Sequence, residues 1–332
     1  MTTSKNSIKL EYISQIRVLS LLLIVSYHSI CFYLGKWGLP CADVVSSLWN
    51  TIAPALVNIG LTGFVLISGF LYSYLYSKGK YHDFFPFIKG KAVRLLIPYF
   101  IWSLFIIYLI PDSGQKCSGM YYGIAHLWFL LMLFEIFLIV SIVNIKGFIE
   151  TSSTKVDVFV LIISVLPLLI TRYILNIHFP LAFELTVKYL PVFMLGYFAY
   201  KHSLIDKMSS LVLGSLLLMG GGILCVLIDC KVDLNNELYV LPSCCICLSL
   251  VSIVKKHSIT IRPFTWLDTS CMGIYLLNQI VIYYMLLNDS FRLFANQHDY
   301  LGPLVIFVIS FALPLLITRF FGRYKWSRYV LG

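Results

Sequence analysis

An arginine and a histidine buried in an apolar run are the first residues of this chain with chemistry to offer. Arg17 and His28 are eleven positions apart. At about 100° and 1.5 Å per residue, eleven helical steps return the second side chain to within about 20° of the first and about 16 Å along the axis. One helix would therefore carry both on one stripe. A guanidinium is a permanent cation suited to carboxylates and phosphates. An imidazole, with an ordinary pKa of about 6.5, is mostly neutral near pH 7 and accepts a proton. The stripe thus offers an anion grip and a base. The plainer alternative lets Arg17 snorkel to the headgroups and His28 hydrogen-bond a neighbouring carbonyl.

Further polar groups stand where hydrocarbon is expected, and ionisable groups at bilayer depth default to functional roles with a partner. Lys91 and Arg94, ahead of Pro98, close a basic stretch with Lys78, Lys80 and Lys89; it suits anionic headgroups or a phosphorylated ligand, and charge bias of loops alone also accounts for it. His126 precedes Trp128, an ordinary interfacial anchor, and Glu135 lies about two and a half turns deeper. Ser68 and Gly69 permit close helix approach, while Asn278 and Gln279 are candidates for hydrogen bonds between helices. Of nine cysteines most lie in apolar runs, and the pair Cys244 and Cys247 has no second pair or histidine near it in sequence. No metal site is expected. Phosphate-cradling, dinucleotide and H-E-x-x-H motifs are not found.

The elements that must position these residues follow from composition. Of 332 residues 59% are hydrophobic and 12% charged, with a mean hydropathy of +0.87, against about 25% charged in a soluble domain. A soluble enzyme is excluded. The apolar runs are continuous, which excludes a β-barrel, and they read as an all-α polytopic bundle of ten spans near 12–34, 51–77, 95–111, 124–145, 156–175, 186–200, 208–228, 237–254, 266–288 and 301–321. The first run has no small-residue cleavage site and reads as a retained helix. With the N-terminus cytoplasmic, eighteen Lys and Arg fall on that side and six on the other, so both termini are expected in the cytoplasm. The charge of +10 then marks cytoplasmic loops and lipid surface, not nucleic acid. One transmembrane domain over 1–332 and no separate soluble domain are expected, and no inverted repeat is visible.

Taken in order, these features resemble the acyltransferase-3 family of integral membrane acyltransferases over nearly the whole chain. That family's first helix carries Arg, ten residues, then His, here Arg17 and His28. A phenylalanine-rich span ends in Ser68-Gly69-Phe70, and the R-x-x-R-x-x-x-P stretch corresponds to Lys91 through Arg94 to Pro98. His126-Leu127-Trp128-Phe129 matches His-Leu-Trp-Phe. The late Ser-x-Gly-Ile-Tyr-Leu-x-His signature is similar to Ser270–Asn278, with one residue more between Ser and Gly. Lys91 replaces an arginine, which keeps charge but loses bidentate contact, and Asn278 replaces a histidine, so an ionisable role there does not carry over. The chain is similar to the short form, the surface-glycan O-acetyltransferases.

The resemblance implies transfer of an acyl group, usually acetyl, from cytosolic acetyl-CoA or another acyl-CoA to a hydroxyl of a surface glycan or lipid-linked sugar in a bacterial-type cytoplasmic membrane. His28 is then the base, and Arg17, Lys91 and Arg94 hold the donor's phosphates. Ser68, His126, Trp128, Glu135 and Asn278 are supporting residues. No metal is expected, and the oligomeric state is open, a homodimer included. A transporter or flippase using Arg17, His28 and Glu135 as a pathway, and a catalytically silent scaffold, are the rival readings.

Overall fold

Hydrocarbon offers no water to the backbone, so an apolar run must pair its own N–H and C=O groups, and helices do this within one segment. The structure is a computed structural model that describes residues 4–35, 41–110, 116–171, 181–257, 259 and 261–332; among them are helices, short 3-10 turns and loops, with no strand. The principal helices are α1 (Ser4–Ile30), α2 (Ser47–Ser77), α3 (Phe84–Leu109), α4 (Trp128–Val143), α5 (Thr154–Leu169), α6 (Phe183–Lys201), α7 (Ser210–Asp229), α8 (Val240–Lys256), α9 (Arg262–Asp268), α10 (Cys271–Leu287), α11 (Asp289–Gln297) and α12 (Leu301–Phe321).

Helix occurs at every one of the ten expected runs, but fewer have the length and apolar character to cross a bilayer. Among the described residues seven do, and an eighth follows if α9 and α10, bent by 78° at a short break, form one span. The expected span 156–175 has 16 helical residues in α5, fewer than the roughly 20 that 30 Å of hydrocarbon requires; its end, with Arg172, lies outside the described residues, as do Lys36 and residues 112–115. The 186–200 run lies in α6, where Glu184, Lys188, Pro191 and Lys201 dilute the apolar character.

Two compact units make up the chain: Met1–Phe64 with Leu104–Gln115 and Leu211–Leu331, and Val65–Ser103 with Lys116–Ser210. In the first, α1 packs against α8, α9, α10 and α12, and α10 against α12. An α1 surrounded this way is apolar on most of its circumference, with Ile13, Ile16, Val18, Leu21, Ile24 and Val25 buried. Small residues set the close approaches: a Cβ on Gly63 would stand 2.2 Å from Ser20 Oγ, and one on Gly273 would stand 2.3 Å from Thr318 Oγ1.

In the second unit α6 packs against α4 and α5. Gly69 and Gly196 form a reciprocal backbone contact: a Cβ on Gly69 would lie 1.9 Å from Phe193 O, and one on Gly196 would lie 2.0 Å from Leu66 O. This is the close packing expected of Ser68-Gly69. Buried Asp157 of α5 accepts from Lys201 Nζ at 2.6 Å and pairs with His202 Nε2 at 2.7 Å, pinning α5 to the end of α6.

Candidate functional site

The first unit brings His28 of α1 against Asn278 of α10, with Nδ1 to Oδ1 at 2.6 Å and both side chains buried. The Asn278 amide is oriented by its own helix: Nδ2 donates to the carbonyls of Ile274 at 3.0 Å and Tyr275 at 2.6 Å. Carbonyl oxygens only accept, so Nδ2 must face them and Oδ1 must face the imidazole. An oxygen acceptor at Nδ1 assigns the proton of the neutral ring to Nδ1 and the lone pair to Nε2. Asn278 therefore orients the His28 ring through a neutral acceptor.

Three turns earlier on α1, Arg17 Nη1 donates to Asp268 Oδ1 at 2.6 Å, and Ser14 Oγ donates to Asp268 Oδ2 at 2.9 Å. Asp268 is the last residue of α9, separated from the start of α10 by Thr269 and Ser270. Both members of the Arg-to-His stripe thus bind the same bent element, Arg17 at the break and His28 at the middle of α10. Sequence reasoning missed Asp268 and Ser14. The available signal was an acidic residue at the start of the 266–288 run, adjacent to polar Thr269 and Ser270. Nearby on that element, Arg319 of α12 lies over the Trp266 ring at 4.0 Å and donates to the Trp266 carbonyl.

The second unit holds the other candidates. Thr186 of α6 donates to Glu135 Oε2 of α4 at 2.6 Å, while Glu135 Oε1 is buried with no hydrogen-bond partner among the described residues. His126 is buried on a 3-10 turn leading into α4, and Trp128 opens that helix against Gly123, whose φ is +100° and where an added Cβ would meet the Trp128 Cβ and Cα. Ser68 is half-buried on α2. Lys91 Nζ sits 3.8 Å from the centroid of Phe137 with Phe87 and Tyr81 beyond, a cation–π setting, whereas Arg94 is exposed. No cluster of His, Cys, Asp and Glu among the described residues has the grouping to hold a metal.

A family model described as an acyltransferase domain matches residues 10–323. The chain belongs to the acyltransferase-3 family. No curated protein and no solved structure matches it. Membership makes this chain a membrane acyltransferase in general terms. In an acyltransferase-3 protein the Arg17 and His28 motif falls on a helix packed against four others of the first unit, and the residue standing in place of the late histidine hydrogen-bonds His28.

Proposed function

We propose that the protein is a membrane O-acyltransferase that moves an acyl group, acetyl in the first instance, from acyl-CoA to a hydroxyl of a surface glycan or lipid-linked sugar. The observation that carries this reading is the buried His28–Asn278 hydrogen bond within an acyltransferase-3 chain: it leaves Nε2 as the proton-accepting nitrogen of a neutral ring. The acceptor hydroxyl attacks the thioester carbonyl carbon while Nε2 takes its proton. The tetrahedral adduct collapses with cleavage of the C–S bond, the new ester C–O bond remains, and the imidazolium returns its proton to the departing thiolate. Burial among helices keeps water from hydrolysing the thioester.

Arg17 is assigned to the phosphates of the donor. Its separation of about 16 Å from His28 along α1 is comparable to the reach of a pantetheine arm. Lys91 and Arg94 are proposed as further donor ligands from their motif, and Glu135, His126, Trp128 and Ser68 as residues supporting the acceptor side. The membrane proposed for it is a bacterial-type cytoplasmic membrane.

The test is thioester consumption. Purified protein in detergent, given acetyl-CoA and a mixed glycan extract, should release free coenzyme A, with more released when the extract is present. Absence of release with acetyl, succinyl and longer acyl donors would overturn the reading. Mass spectrometry of surface glycans from cells with and without the gene then identifies the acceptor.

A further inference from the structure

The geometry points to Asp268 as a positioning residue for the donor: it holds the Arg17 guanidinium by one nitrogen so that the opposite two-donor edge is presented to a phosphate. The inference rests on the donor role proposed for Arg17. Asp268 receives Arg17 Nη1 on one carboxylate oxygen and Ser14 Oγ on the other. With both oxygens engaged from one face of α1, the carboxylate cannot rotate without breaking a bond. Arg17 Nε and Nη2 have no protein partner among the described residues, and the side chain remains 29% exposed, against 16% for Asp268. The Nε–Nη2 edge is one of the guanidinium's paired-donor edges, the geometry that matches two phosphate oxygens.

Two features of the element indicate that Asp268 serves this contact and not α9 itself. A carboxylate at a helix C-terminus faces the negative end of the helix dipole, so its place there is unfavourable for α9 alone. The chain also bends by 78° directly after it, so the ion pair fixes the point from which α10 starts. Ten residues further on, α10 delivers Asn278 to His28. Gln15 of α1 adds a third tie by donating to the Ile259 carbonyl ahead of α9.

Steady-state kinetics with acetyl-CoA distinguish positioning from the alternatives. Asp268→Asn should raise the apparent KM for the thioester about ten- to a hundredfold, the loss expected when one charge-assisted contact is misplaced. Turnover at saturating donor and the KM for the acceptor should stay within about twofold. Asp268→Glu should recover most of the donor affinity, and the double variant Arg17→Ala with Asp268→Asn should be no worse than Arg17→Ala. A donor KM that falls in Asp268→Asn would make Asp268 a counter-ion competing with the phosphates and would overturn the proposal, as would an unchanged KM. If Asp268→Asn does not purify folded, Ser14→Ala keeps the carboxylate and releases Oδ2: a raised donor KM supports positioning and an unchanged one overturns it. Wild-type protein that releases no coenzyme A from any thioester overturns the proposed function, and this inference with it, before any variant is made.

Discussion

At the scale of single residues, the account turns on what Asn278 does for an imidazole it cannot charge. A leucine at 278 would remove the Asn278 oxygen that accepts the Nδ1 proton, so the ring can place its proton on Nε2, the nitrogen proposed as base. We expect Asn278→Leu to lower turnover by about 10²-fold with little change in the apparent affinity for the thioester, since general-base assistance is typically worth 10²–10⁴. Equal falls in turnover and donor affinity would instead indicate a collapsed site. Asn278→Asp should retain more activity than the leucine variant, because a carboxylate also accepts from Nδ1. The shared face of Arg17 and His28 was legible in the sequence because helical periodicity fixes it locally. Their partners were not: Arg17 meets Asp268 and His28 meets Asn278 across 251 and 250 positions, and no local pattern specifies which distant polar residue completes a pair. Asn278 stood out as a polar residue in an apolar run, whereas Asp268 sat at a run's edge, where an acid looks like a loop residue.

At the scale of elements, close helix approach and one buried ion pair hold the second unit together. Gly69 and Gly196 each present backbone to a neighbouring carbonyl at a distance no Cβ tolerates. Gly69→Ala or Gly196→Ala should each destabilise the protein by about 1–3 kcal/mol, the usual cost of overpacking, seen as a lower melting temperature in detergent; an unchanged melting temperature for both would remove this contact from the account. The α5–α6 junction depends on Asp157, 2% exposed at its side chain, facing Lys201 at 10%. Asp157→Asn leaves the Lys201 ammonium with the Ile149 and Ser152 oxygens but without its counter-charge and should cost up to about 3–5 kcal/mol. The double variant Asp157→Asn with Lys201→Met should be less destabilised than the single one, which a double-mutant cycle measures. Sequence reading anticipated small-residue packing at Ser68-Gly69 but could not name Gly196 as its counterpart. It also read 266–288 as one span. The bend arises where Thr269 and Ser270 break the run, and the tie from Asp268 to α1 rewards the break.

At the scale of the whole molecule, the distribution of cations argues for the N-terminus, the segment 78–94 and the tail after Arg319 on the cytoplasmic side, and for 112–123 and 289–300 on the other. An engineered cysteine beside Lys80, with the exposed Cys117, Cys225 and Cys230 replaced by serine, should resist an impermeant thiol reagent in intact cells and react after permeabilisation. Labelling in intact cells would reverse the orientation and deny the donor access from the cytosol. The membrane class and the family were legible over the full length, because composition and motif order need no tertiary information. The number of complete crossings was not: the described part of α5 has 16 α-helical residues, and Glu184, Lys188, Pro191 and Lys201 lower the apolar character of α6.

The central claim is that His28 is the base of an acyl transfer, and the most direct test is release of free coenzyme A by purified protein carrying His28→Gln, compared with wild type at saturating acetyl-CoA and glycan acceptor. Glutamine keeps a polar side chain able to meet Asn278 but accepts no proton at neutral pH. The account predicts a folded protein, unchanged in melting temperature within a few degrees, whose turnover falls at least a hundredfold. A folded His28→Gln protein that keeps more than a tenth of wild-type turnover would contradict it.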